Sequence, residues 1–130
     1  MSKIIVTNND KVLEKYKNKF NVLFLEKSGY MDVLNETRNN IHRGCILLTH
    51  PMAGSLKPNQ TPYKSIIIKE SSGKLDYESL FLIEQSIEAA EKFLRFKATP
   101  NWSERILNDF KTVDISLIEN VINNPMFALV

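Results

Sequence analysis

Short apolar runs alternate with helical patterns in the first half of the chain. Residues 4–6, 22–25 and 46–48 are continuously apolar, and a fourth such run covers residues 66–68. Continuous runs of this kind are typical of strands that are covered on both faces, whereas half-exposed strands alternate apolar and polar residues. A helical pattern separates the first run from the second and the second from the third. The sequence therefore predicts a mostly parallel sheet of about four strands.

The two intervening segments have the periodicity of amphipathic helices. Apolar residues recur every three or four positions along residues 10–20, and Asn8 or Asn9 precedes that segment as a candidate N-cap. The same spacing begins at Tyr30 and continues until Gly44, which is a candidate helix stop. Both segments are therefore predicted to pack one face against the sheet.

The second half of the chain is predicted to be helical. Asp76 is a candidate N-cap for a long amphipathic helix over about residues 77–96. Thr99 and Pro100 have the order of an N-cap and a first helical residue, and Asp114 is a candidate cap for a last helix. The whole pattern indicates one α/β domain that includes the full chain, with three layers and a helical C-terminal half.

Composition and charge exclude several classes of protein. With 43% apolar and 25% charged residues among 130, the chain has the composition of one soluble domain. No apolar run approaches the ~18 residues of a membrane span, and the opening residues lack the apolar core of a signal peptide. The net charge of +2 does not identify a partner, and Trp102 fits helix packing better than base stacking. We therefore expect neither a membrane nor a nucleic acid as partner.

No cofactor, metal ion or disulfide is expected either. The first apolar run is not followed by a glycine-rich dinucleotide motif, and the chain has no Walker A loop. One cysteine and two histidines are too few for a Cys/His zinc site, and His42 and His50 have no carboxylate in their stretch of sequence. Cys45 is interpreted as a small buried residue in a reducing, cytoplasmic setting.

The segment from residue 49 to residue 64 is the most informative part of the chain. It follows the third apolar run, has no helical pattern and contains three prolines, which stiffen it. Ligands of open parallel sheets bind at the carboxyl ends of the strands. Because the turns at residues 7–9 and 27–29 follow strands at the same edge, we expect three loops to meet there.

These strand-end segments contain groups that are suited to a small anion. Lys57 and Lys64 offer positive charge, and the N-terminus of the helix after Asn9 favours anions. His50 is a candidate acid–base group because imidazole titrates near neutral pH. The candidate ligand-binding residues are Thr7, Asn8, Asn9, His50, Ser55, Lys57, Asn59, Thr61 and Lys64.

Each candidate also has a structural interpretation. The two asparagines suit plain helix caps, the lysines suit solvated surface charges, and His50 suits a hydrogen bond to loop backbone. A nucleophile–base pair of Ser55 and His50 is disfavoured, because the segment contains no acid to orient the imidazole and no nucleophile elbow.

Several motifs together resemble those of a known family. An opening Ile-Ile-Val-Thr-Asn-Asn is followed by His42-Arg43-Gly44, Leu48-Thr49-His50-Pro51, Gly54-Ser55, Lys57-Pro58-Asn59 and Thr61-Pro62-Tyr63-Lys64-Ser65. This combination resembles the GrdX family over most of the chain, with residues 42–65 as the most specific part.

The resemblance implies a small, cytoplasmic, bacterial protein linked to the glycine, sarcosine or betaine reductase system of amino-acid-fermenting anaerobes. It implies no catalytic residues, since the family has no established activity. Three functions therefore stay open. The first is binding of a small anion or amino-acid derivative by loops 7–9 and 49–64. The second is assembly with components of a reductase complex without pocket chemistry, and the third is an enzyme that uses His50 as its acid–base group.

Overall fold

The computed structural model describes residues 2–54 and 56–130 of the chain. Within these residues, strands and helices follow one another in the predicted order. Their bounds are β1 Lys3–Thr7, α1 Asp10–Tyr16, β2 Asn21–Phe24, α2 Tyr30–His42, β3 Ile46–Leu47, β4 Ser65–Lys69, α3 Tyr77–Phe96 and α4 Glu104–Ile122, before a final 3-10 helix at Pro125–Leu129.

The sheet is mixed rather than mostly parallel. Its strand order is β2-β1-β4-β3, in which β1 and β2 are parallel and β4 is antiparallel to both of its neighbours. The first three strands thus point the same way, as predicted, and β4 lies between two of them in the opposite direction. The reason is the connection before β4, which contains no helix. The chain therefore turns back at the edge where β3 ends instead of crossing over the sheet.

Helices cover both faces of the sheet, which gives the predicted three layers. On one face, Val6, Ile66 and Ile68 pack with buried residues of α2 and α3. On the other face, Ile5 and Ile67 pack with α1, α4 and the 3-10 helix. Neighbouring positions of β1 and β4 point to opposite faces and are buried on both, which explains their continuous apolar runs.

Helices α1 and α3 begin at the predicted caps. The side chain of Asn9 accepts a hydrogen bond at the start of α1, and that of Asp76 does so at the start of α3, which has the predicted bounds. α1 is shorter than predicted and ends at Tyr16. Gly44 follows α2 with a φ of 103°, in the left-handed region that favours glycine, so the predicted helix stop is confirmed.

The last helix differs from the prediction. α4 begins after Ser103, whose side chain caps it, rather than after Thr99. It continues to Ile122 without a break at Asp114, so this residue lies inside the helix and is buried there. The prediction that Asp114 caps a separate helix was wrong. An aspartate at an N-cap and an aspartate buried inside a helix can have the same neighbours in sequence, and the buried position is stable when other segments supply hydrogen-bond donors.

Candidate functional site

The three predicted strand-end segments meet at one edge of the sheet, and Asn8 joins them. Its Nδ2 donates to the carbonyl oxygens of Ser28 and Pro62, each at 2.8 Å. Its Oδ1 accepts from the backbone nitrogen of Lys64 at 3.0 Å. The carboxyl ends of β1 and β2 are therefore tied to the start of β4 by a single amide side chain.

The neighbouring residues Thr7 and Asn9 are buried and also bond within the protein. Asn9 accepts from Lys11 N as the cap of α1, and its Nδ2 donates to Lys111 O at 2.9 Å and to Asp114 Oδ2 at 3.0 Å. Thr7 Oγ1 accepts from Asn9 N at 3.0 Å and lies 2.6 Å from Ser65 Oγ. A ligand that contacts these side chains must replace hydrogen bonds already made, so their ligand role stays a prediction while their structural role is evident.

Asp114 is the residue that sequence reasoning missed. It projects from the middle of α4 and is 7% exposed. Its Oδ2 accepts hydrogen bonds from Ser65 Oγ at 2.7 Å and from Asn9 Nδ2. Burial raises the pKa of this carboxyl, and the two hydrogen bonds and Lys64 oppose that rise. The sequence did contain one indication of this position. Asp114 lies four residues after Phe110 and four before Ile118, a spacing that puts it on the apolar face of one continuous helix.

Lys64 is a second buried titratable group at this edge. The residue is 6% exposed, and its Nζ donates to the carbonyl oxygen of Ala53 at 3.0 Å. Burial lowers the pKa of this amine to about 8, against the opposing effect of Asp114. In the described part of the chain, no carboxylate forms a salt bridge with Lys64.

Lys64 and Asp114 line the same small cavity. Its volume of ≈ 20 Å³ is the space of about one water molecule. Tyr30 lines it as well, and burial raises the pKa of that phenol. Most of the remaining lining is apolar and comes from Leu56 in the loop and from Phe110, Val113 and Leu117 on α4. An amine, a carboxyl and a phenol thus line a largely apolar space that admits only very small molecules.

The other candidate residues do not gather at this cavity. Thr61 lines it, but its Oγ1 accepts from Tyr63 N at 3.1 Å. His50 is exposed, and its Nδ1 accepts from Met52 N at 3.1 Å, which is the structural interpretation of this residue.

Lys57 and Asn59 line a separate groove of ≈ 450 Å³ between the loop, the end of α3 and the start of α4. Lys57 Nζ lies 5.7 Å from the ring centroid of Phe93, and Asn59 Nδ2 donates to Phe93 O at 3.2 Å. Ser55 lies outside the described residues. Asn8 lines a third groove of ≈ 440 Å³, together with Ser28 and Lys111. The residues of the single pocket that the sequence suggested are therefore divided among three places.

Residues 2–54 and 56–130 contain no group of three histidine, cysteine, aspartate or glutamate side chains arranged to hold a metal ion. The two groups that can take part in chemistry at the sheet edge are one amine and one carboxyl. Their environment suits binding of a small polar guest or proton transfer.

A sequence profile described as GrdX-like protein matches residues 4–123, nearly the whole chain. The chain belongs to the GrdX-like family. Membership of this family points to an association with glycine reductase systems. Neither the curated proteins nor the solved structures contain a match. Among the described helices, none has the length and apolar character that a bilayer-crossing segment requires.

Proposed function

We propose that this GrdX-like protein is an accessory protein of the glycine, sarcosine or betaine reductase system, in the cytoplasm of a bacterium, that binds a small anion or amino-acid derivative. The ligand lies at the edge where loops 7–9 and 49–64 meet, and Lys64 is its charged contact. The observation that carries this proposal is the burial of the Lys64 ammonium without a salt-bridge partner among the described residues.

A buried ammonium of this kind favours an anionic guest. Removing a charge from water is costly unless an opposite charge and hydrogen bonds replace the water. The neutral carbonyl of Ala53 is the acceptor for Lys64 Nζ. A carboxylate or phosphate oxygen in that position would form a stronger, charge-assisted hydrogen bond. Replacing the Ala53 carbonyl by an anionic oxygen as the acceptor for Lys64 is therefore favourable.

The size of the cavity determines how the ligand enters. A space of ≈ 20 Å³ does not hold a glycine-sized molecule, so the loop segment beside Lys64 must move outward. Ala53 and Gly54 are exposed, and Gly54 has a φ of 103°. Gly54 lies against the side chain of Leu117, so the segment must separate from α4 when it moves, and the guest takes the place of the Ala53 carbonyl.

Calorimetric titration with acetate, glycine, phosphate and acetyl phosphate at pH 7 tests this function. We expect at least one of them to bind, and Lys64→Met to weaken that binding by about tenfold or more because the charged contact is lost. Lys57→Met is the matched control, since Lys57 is exposed and lies in the separate groove. Absence of binding, or equal binding by Lys64→Met and the unchanged protein, would overturn the proposal.

A second candidate function is assembly with a reductase component. It is favoured by the groove that contains Lys57, which is flanked by Phe96 with 87% of its surface exposed. An apolar ring of this exposure is typical of contact surfaces when neighbouring residues are also apolar. Native mass spectrometry with purified reductase subunits tests it. A complex that Phe96→Ser weakens and Lys64→Met leaves unchanged would support assembly, and the absence of any complex would exclude it.

The enzyme with His50 as acid–base group has the least support. His50 is exposed, lies outside the cavity and bonds to loop backbone. A general acid or base must reach the reacting atom within hydrogen-bond distance, and His50 is not part of the lining that contains Lys64 and Asp114.

A further inference from the structure

We propose that Lys64 is a nucleophile whose amine condenses with the carbonyl group of a small aldehyde or 2-oxo acid to form an imine. Three observations support this inference: Lys64 is buried in the lining of the cavity, the residues around it are mostly apolar, and Asp114 belongs to the same lining. The inference rests on the proposed function in one respect, because both require a small molecule to reach Lys64.

The first requirement for an amine nucleophile is a lone pair. Lysine amines in water have a pKa near 10.4, so roughly one in two thousand five hundred is neutral at pH 7. Burial lowers the pKa of Lys64 to about 8. At that pKa roughly a tenth of the amines are neutral at pH 7, which makes Lys64 about two hundred times richer in the reactive form than an exposed lysine.

The second requirement is an apolar environment around the amine. Lys64 belongs to the lining of a mostly apolar cavity, and its Nζ donates a hydrogen bond to the carbonyl oxygen of Ala53, another residue of that lining. An apolar space disfavours the ammonium and excludes bulk water, and both effects favour addition to a carbonyl carbon.

The third requirement is a proton donor for the leaving oxygen. Nζ attacks the carbonyl carbon, the π electrons move to the oxygen, and a proton passes from nitrogen to oxygen to give a carbinolamine. The carbon–oxygen bond then breaks, the oxygen gains a second proton and leaves as water, and a carbon–nitrogen double bond forms. The net change is one amine and one carbonyl giving one imine and one water, with no oxidant or reductant.

Asp114 lines the same cavity as Lys64 and is the acid that supplies and takes back that proton. Its hydrogen bonds from Ser65 and Asn9 both fall on Oδ2, which orients the carboxyl. Burial favours its protonated form. After the proton is given to the leaving oxygen, the carboxylate is the counter-charge for a protonated imine, in the same way that it favours the charged form of Lys64 itself.

Reductive trapping tests this inference. The protein is incubated at pH 7 with glycolaldehyde in one arm and pyruvate in the other, sodium cyanoborohydride reduces any imine, and peptide mass spectrometry locates the adducts. We expect Lys64 to carry at least tenfold more adduct than the exposed Lys57 in one of the two arms. The arm that labels Lys64 tells whether the guest is a neutral aldehyde or a 2-oxo acid. Equal labelling of the two lysines in both arms would overturn the inference.

Two further measurements separate this inference from the proposed function. Lys64→Arg keeps the positive charge and cannot form an imine near neutral pH, so anion binding should persist while the adduct at this position disappears. In the unchanged protein, labelling of Lys64 should reach half of its maximum near pH 8, which is the pKa of its amine. Anion binding without selective labelling would overturn the imine inference and support the proposed function. Selective labelling without anion binding would support the imine inference and overturn the proposed function.

Discussion

The two long helices lie on opposite faces of the sheet and differ in what they bury. α3 has 20 residues and α4 has 19. α3 turns Ile83, Ile87 and Ala90 inward, so its contact with the core is mainly apolar. α4 turns Asp114 inward as well as Ile118, and the aspartate bonds to segments far from it in sequence. α3 closes the core, whereas α4 brings a titratable group to the strand edge.

This difference extends to the whole of each face. The apolar cluster beneath α2 and α3 contains eleven buried residues, and the one beneath α1 and α4 contains six. The α3 face therefore depends on apolar burial, and the α4 face depends more strongly on the hydrogen bonds that connect Thr7, Asn9, Ser65 and Asp114. Substitutions on the two faces should consequently have different effects on stability and on the chemistry of Lys64.

The largest effect is expected from Ile83→Ala on α3. Ile83 is fully buried, so the substitution should lower the free energy of unfolding by about 3 kcal/mol through lost burial and a residual cavity. Urea denaturation measures this change. The selective labelling of Lys64 should remain, because no residue of α3 lines the cavity. Phe81→Ala is the control on the same helix, since Phe81 is 62% exposed and should change stability by less than about 0.5 kcal/mol.

The contrast between the two helices also explains what the sequence could predict. In α3 the cap and the apolar spacing indicate the same bounds, and the structure has them. In α4 an acidic residue after an apolar stretch fits both a new N-cap and a buried position. Only the donors on Asn9 and Ser65, which come from other segments, decide between these interpretations. Tertiary contacts of this kind cannot be read from local patterns.

The direction of β4 illustrates a signal that was present in the sequence. The segment before it was correctly predicted to contain no helix, and parallel neighbours need a crossover that usually is a helix. The long loop itself therefore indicated an antiparallel return.

The candidate site was predictable only in part. Lys64 was a candidate because of its loop, and the meeting of this loop with the turn at residues 7–9 followed from strand direction. The burial of Lys64 did not follow, because it depends on α4 covering the loop. The assignment of Lys57 and Asn59 to a different groove depends on where α3 ends in space.

An intermediate effect is expected when the α4 face loses its buried carboxyl. Asp114→Ala should lower the free energy of unfolding by about 2 kcal/mol, because it leaves the donors of Ser65 and Asn9 without their acceptor. Asp114→Asn should cost less, since its amide oxygen still accepts hydrogen bonds and no charge is buried. Urea denaturation compares the two variants. Equal losses would mean that the hydrogen bonds to Asp114 do not stabilise this face.

The same pair of variants bears on Lys64. Asp114 raises the pKa of Lys64, so Asp114→Asn should lower that pKa below about 8. The midpoint of the pH profile for labelling of Lys64 measures this shift. A midpoint that moved upward, or stayed unchanged, would show that the two groups do not interact through the cavity.

The smallest effect is expected from pH. The pKa of Lys64 is about 8 in the folded protein and near its model-peptide value of 10.5 when unfolded. The unfolded chain therefore binds more protons between these values, and stability should rise with pH in that window. For this group alone the gain from pH 7 to pH 9 is about 1 kcal/mol. Urea denaturation at both pH values should show this gain in the free energy of unfolding for the unchanged protein and for Lys57→Met. The change between the two pH values should be about 1 kcal/mol less favourable for Lys64→Met. Apart from the substituted lysines, the titratable groups are common to all three proteins. Equal slopes would therefore mean that Lys64 is solvated rather than buried, and the contrast between the α4 face and the α3 face would then rest on Asp114 alone.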